Sequence, residues 1–169
     1  MKNVSIVLLL SAFIAVPAVA ADMGGYVGVK LGSANKSVSG GVSDTNSAVG
    51  VFGGYSFNPN VAVELGYTDL GTAAPGSVKF TTWDVSAVGT YPINVQFSLY
   101  GKLGMASTKE EGGGYSAIRS AATYGLGGQF NVNPDVAIRL GWEHYGFGDG
   151  PTFYQGDASL VSLAGVFKF

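Results

Sequence analysis

Eight stretches of this chain alternate apolar and polar residues with a period of two. The last of them carries the tightest constraint on the fold. Leu160-Val-Ser-Leu-Ala-Gly-Val-Phe-Lys-Phe169 sets Val161, Leu163, Gly165, Phe167 and Phe169 on one face and Leu160, Ser162, Ala164, Val166 and Lys168 on the other. A period of two is a strand between two unlike environments. A regular strand that ends on a large aromatic side chain suits a closed barrel, in which the last strand pairs with the first and no edge is left.

The first twenty residues read as an export signal. Lys2 gives a positive start, residues 4–16 are largely apolar, and Ala18-Val19-Ala20 is a small-x-small cleavage site, which divides the chain into a signal peptide at 1–20 and a barrel domain at 21–169. The apolar run is shorter than the ~20 residues a spanning helix needs, and no later stretch reaches that length. Yet 47% of residues are hydrophobic and only 12% charged, with 27 glycines. Soluble domains carry roughly a quarter charged residues. Export, low charge, abundant glycine and aromatics, and no spanning helix together indicate a transmembrane β-barrel. The chain has no cysteine, which excludes disulfides and thiolate metal sites. Its net charge of −2 lacks the basic footprint of a nucleic-acid binder.

The expected strands cover residues 24–34, 48–57, 61–69, 80–91, 95–106, 118–131, 136–145 and 160–169. Seven of them are about 9–12 residues and 118–131 is slightly longer, enough for a tilted strand to cross a bilayer. Short and long connections alternate. The short ones are Asn58-Pro59-Asn60, residues 92–94 and Asn133-Pro134-Asp135, where proline and asparagine favour turns. The long ones, at 35–47, about 70–79, 107–117 and 146–157, are rich in glycine and polar residues. In outer-membrane barrels short turns are periplasmic and long loops extracellular. The expected fold is therefore all-β, an eight-stranded antiparallel up-and-down transmembrane barrel.

Charge orients each strand, because a lysine or arginine facing lipid at mid-bilayer costs roughly 2–4 kcal/mol. Lys30, Glu64, Asp84, Lys102, Arg139, Glu143 and Lys168 all fall on the less apolar face, and are expected inside. The opposite faces hold Tyr55, Phe57, Tyr91, Phe130, Phe167 and Phe169 beside the short turns, and Trp83 and Trp142 higher up, as expected of two membrane girdles. A soluble barrel of the lipocalin kind would place the apolar face inside, but an eight-stranded interior cannot hold so many large rings. In the membrane reading the lumen is only just filled by side chains, so its charges pair with one another. Glu64 and Arg139 are the expected central partners, with Lys30, Lys102 and Glu143 around them and Arg119 near the loop-side rim. The network serves as a polar plug or, if pairs exchange, as a candidate gate.

Catalysis finds little support. The single histidine, His144, shares a face with Leu140 and Trp142 and has no serine two residues away, the arrangement that lipid A deacylases of this general shape use. Glu64 and Glu143 could imitate an acid–base pair, but charge pairing accounts for both. Gly125-Leu-Gly-Gly128 precedes no helix, so it is no phosphate loop. Asn35-Lys36-Ser37 fits a glycosylation sequon but reads as ordinary loop. There is no metal-ligand cluster and no cofactor motif.

Gly53-Gly-Tyr-Ser-Phe-Asn-Pro-Asn-Val-Ala-Val-Glu-Leu-Gly-Tyr67 resembles the second and third strands, with their turn, of the transmembrane domain family of outer membrane protein A. Gly28-Val-Lys-Leu-Gly32, Gly89-Thr-Tyr-Pro92, Lys102-Leu-Gly104 and Ala137-Ile-Arg-Leu140 resemble its other strands. The resemblance implies a porin-like barrel of a Gram-negative cell outer membrane, inner charges at Lys30, Glu64, Lys102 and Arg139, and a Glu64–Arg139 pair similar to that family's gating salt bridge. Val88 stands where the family has an inner lysine, and Gln129 where it has an inner glutamate. The resemblance covers only the family's barrel and not its peptidoglycan-binding domain, so the chain is expected to be more similar to small stand-alone barrels, some of which mediate adhesion through their loops. Two functions are expected: a structural barrel with at most a narrow, low-conductance pore, or a surface protein whose four loops bind an unspecified extracellular ligand. Its partners are outer-membrane lipid and the β-barrel assembly machinery, which reads the C-terminal strand; no nucleic acid is expected, and the chain is expected to act as a monomer.

Overall fold

At membrane depth every backbone N–H and C=O must find a partner within the protein, and a sheet achieves that only by closing. In the computed structural model, which describes residues 23–38, 42–73, 78–112, 115–146 and 156–169, the sheet closes. Its strands are β1 (Gly24–Val38), β2 (Val42–Asn58), β3 (Val61–Ala73), β4 (Val78–Pro92), β5 (Phe97–Gly112), β6 (Tyr115–Asn131), β7 (Val136–Gly146) and β8 (Gly156–Lys168). Each pairs antiparallel with its sequence neighbour, and β8 returns to β1 from Tyr26↔Lys168 to Val38↔Gly156. The signal segment at 1–20 lies outside the described residues. Among the described residues no helix is long and apolar enough to cross a membrane.

One device recurs at the short turns. Asn58 Oδ1 accepts from the backbone N–H groups of Asn60 and Val61, each at 2.9 Å. Asn94 Oδ1 accepts from Gln96 (2.9 Å) and Phe97 (2.7 Å), and Asn133 Oδ1 from Asp135 (2.9 Å) and Val136 (2.7 Å). Asparagine thus supplies the acceptor a tight turn needs. The second turn takes up residues 93–96, so β5 starts at Phe97 rather than at residue 95.

The long connections are shorter than their composition suggests. β1 and β2 stay paired through Asn35↔Thr45 to Val38↔Val42, and the Thr45 hydroxyl donates to Asn35 Oδ1 at 2.6 Å. β5 continues through Lys109, Glu110 and Glu111 to Gly112, opposite β6. Polar residues read as loop because strands are usually recognised by a buried face. A hairpin already in register extends without one, since each added residue pair forms ladder bonds. On β3 the register shifts between Asp69 and Thr72. There Gly71 takes a φ of 77°, which only glycine tolerates readily, and its N–H donates to Asp69 Oδ1 at 2.9 Å.

The outside is apolar and the inside polar. Leu140 is 60% exposed while Glu64 is 1% exposed. Tyr55, Phe57, Tyr91, Phe130 and Phe167 lie on the outside near the short turns, and Tyr55 and Phe57 meet edge-on at 5.4 Å. Toward the loops, Tyr67 packs against Trp83 at 4.7 Å and Tyr124 against Trp142 at 5.8 Å. Phe169 lies just past β8, its N–H bonded to the Gly25 carbonyl at 2.9 Å and its ring over Gly25, where a Cβ would collide with it.

Candidate functional site

Strand alternation brings charged residues from β1, β3, β4, β5 and β7 into one layer of the lumen. Glu64 on β3 is its centre. One carboxylate oxygen, Oε1, takes the Arg139 guanidinium and the Tyr26 hydroxyl (2.8 Å); Oε2 pairs with Lys102 Nζ at 2.9 Å. Lys102 also pairs with Glu143 Oε1 at 2.9 Å. Glu143 Oε2 in turn holds Lys30 Nζ and the Tyr145 hydroxyl, both at 2.6 Å, and Lys30 donates to Tyr145 at 3.1 Å. The result is one continuous chain, Arg139–Glu64–Lys102–Glu143–Lys30, spanning the barrel. All five residues are buried or nearly so, where an ion pair is retained only if its remaining hydrogen-bonding capacity is also met.

Arg139 illustrates that requirement. Its Nε donates to Gln129 Oε1 at 2.7 Å, and its guanidinium lies 5.1 Å from the ring centres of Tyr26 and Tyr100 and 5.6 Å from that of Phe52. Rings at this distance attract a cation through their faces. Gln129 passes the network down to the short-turn mouth, donating to Asn131 Oδ1 (2.8 Å), which also accepts from Lys168 Nζ (2.9 Å).

Two apolar clusters flank the layer. Tyr26, Phe52, Val88, Tyr100, Ala137 and Val166 are among those packed on its short-turn side. Ala34, Leu70, Ala106, Tyr145, Ala158 and Leu160 fill the lumen on its loop side. Between them a cavity of ≈ 10 Å³ touches Lys30, Glu64, Lys102, Arg139, Glu143 and Ser162. That is about room for one water molecule.

Of the residues expected inside, Lys30, Glu64, Lys102, Arg139 and Glu143 are in direct contact. Lys168 sits apart at the mouth. Asp84 is inside and 3% exposed but joins no ion pair among the described residues: it receives one hydrogen bond, from Ser86 Oγ at 3.3 Å, and its Oδ1 has no partner. Arg119 stands opposite Thr108, toward the loops. Selecting by charge missed the neutral partners Tyr26, Tyr100 and Tyr145, whereas the resemblance sets Gln129 at an inner position. The position of the three tyrosines on the less apolar face was the available signal.

His144 lies toward the loops, 4.9 Å from Tyr124 ring to ring. A serine does stand near it, but across the sheet rather than along the strand. His144 Nδ1 is 3.5 Å from Ser159 Oγ and 3.8 Å from Asp157 Oδ2. Both contacts fall on the same ring nitrogen, whereas a serine–histidine–aspartate relay needs one on each.

A family model described as "Outer membrane protein beta-barrel domain" matches residues 5–169. Outer membrane protein P5 of Haemophilus influenzae is 29% identical over 151 residues, covering 70% of this chain and 43% of the relative. Outer membrane protein A of Escherichia coli O157:H7 is 28% identical over 163 residues, covering 85% of this chain and 47% of the relative. The chain thus spans less than half the length of these curated relatives. Among solved structures, Neisserial surface protein A superposes with a TM-score of 0.76 at 20% identity, covering 86% of this chain and 97% of that one. Ail, the attachment invasion locus protein of Yersinia pestis, does so with a TM-score of 0.64 at 22% identity, covering 88% and 99%. These two likenesses show the barrel fold.

Proposed function

Because the chain belongs to the outer membrane protein β-barrel domain family and so resides in the cell outer membrane, we propose that it is a structural barrel whose lumen is held shut by ion pairs and opens, at most, into a narrow gated path. The observation that carries this reading is the Glu64–Lys102–Glu143 bridge between two apolar clusters. An open pore keeps its wall charges hydrated, whereas here each carboxylate of the bridge is met by two cations and a phenol. The exposed rings from Tyr55 to Phe167 serve as girdles in the two interfaces, and the C-terminal strand serves as the element the assembly machinery reads.

Planar-bilayer recording tests the gate. The intact protein gives rare, small openings, and Glu64→Ala or Arg139→Ala makes them more frequent. Electrically silent protein, both intact and substituted, would refute the gate and leave the structural role alone.

One observation favours a second role at the cell surface. β2 and β6 have 17 residues and β5 has 16, well beyond the 9–11 or so that span a bilayer. Their loop-side ends would form a collar above the membrane that could carry an adhesive surface. Shortening the loops while the barrel still assembles, followed by a cell-binding assay, tests it; unchanged binding refutes it.

A further inference from the structure

The charges of the lumen do not match up in the arrangement described above. The layer holds three cations (Lys30, Lys102, Arg139) and, with Asp84, three carboxylates. Yet Lys102 is shared between Glu64 and Glu143, and among the described residues Asp84 goes without a cation. A buried carboxylate with an unmet oxygen is costly and calls for an explanation.

We infer that Asp84 is the second seat of the Lys102 ammonium, and that Lys102 moves between the Glu64–Glu143 bridge and Asp84. The count of partners supports this. If Lys102 leaves the bridge, Glu64 still has Arg139 and the Tyr26 hydroxyl, and Glu143 still has Lys30 and the Tyr145 hydroxyl. Lys102 on Asp84 then completes three separate pairs, each with one cation and one anion. Neither arrangement strands a charge that the other satisfies, apart from Asp84 itself.

The local fabric suits the movement. Lys102 lies opposite Val88, Gly104 opposite Ser86, and Ala106 opposite Asp84, so the route along β4 and β5 passes a glycine and two small side chains. A Cβ on Gly104 would come within 2.1 Å of the Val85 carbonyl oxygen and 2.6 Å of Ser86 Oγ, so glycine is needed here by the close approach of β4. A second buried acceptor, Thr68 Oγ1, has no hydrogen-bond partner among the described residues and lies one inner position beyond Gly66, the residue opposite Asp84. Tyr145 gives its hydroxyl hydrogen to Glu143 instead. The exchange breaks the only bridge between Glu64 and Glu143 among the described residues, at the wall of the small cavity.

This inference rests on the gate reading, and the test separates the two. Asp84→Asn keeps the shape and removes the second seat, so it should fold as well as the parent. In bilayer recordings it should reduce the frequency of openings about tenfold, the effect of losing one charge-assisted hydrogen bond from the open arrangement alone, with the size of each opening unchanged. Asp84→Glu should restore the openings. In a Lys102→Gln background, Asp84→Asn should have no further effect. If Glu64→Ala alters the openings and Asp84→Asn does not, the exchange is wrong and the gate stands. If the protein is silent with and without Glu64→Ala, both fall.

Discussion

Glu64 is the residue on which most of the lumen depends. It answers Arg139 and Lys102 at once; without it Lys102 keeps Glu143, but Arg139 is left among the described residues as a cation with no carboxylate in a low-dielectric interior. Removing one member of a buried pair typically costs about 3–5 kcal/mol, because the other is left uncompensated. Glu64→Ala should therefore lower the urea midpoint of the refolded barrel by a clear margin, whereas Asp84→Asn should leave it unchanged or raise it, since Asp84 neutralises no cation directly. Equal losses in the two variants would mean that Asp84 is part of the structural network after all. Charge and alternation made the inward set legible from the sequence. They could not show that Tyr26 and Tyr145 complete the hydration-like shells of Glu64 and Glu143, because a phenol on an inner face reads equally well as packing.

At the scale of elements, the turns were more readable than the loops. Asn58, Asn94 and Asn133 each close a short connection with the same pair of bonds to their own chain. Replacing one by alanine forfeits two of these bonds, each worth about 1 kcal/mol net. Asn133→Ala should accordingly slow refolding into lipid vesicles or lower stability modestly, with the ion-pair layer intact; unfolding of the barrel would show that the turn does more than close. The long connections read as loop for a physical reason. Ser, Asn, Gly and Lys outside the membrane carry no alternation, yet strands paired inside the bilayer extend their ladder beyond it, as β1 and β2 do to Val38↔Val42.

For the molecule as a whole, inversion of the soluble pattern is the governing fact. Lipid solvates the leucines and rings outside, and the polar groups inside must satisfy one another. Eight strands leave so little room that doing so closes the lumen. The sequence carried the count of strands, their direction and the sign of each face. It did not carry the alignment of β3 to β7 that sets Lys102 between two glutamates, which follows from the register of those five strands. Since the chain has no cysteine, a single introduced thiol reports on that closure without background. Ser162 borders the small cavity in the ion-pair layer. Ser162→Cys should resist a water-soluble thiol reagent added to either side of the reconstituted barrel, and should become reactive when Glu64→Ala is added. Rapid labelling of Ser162→Cys in the otherwise intact barrel would contradict a lumen held shut by ion pairs.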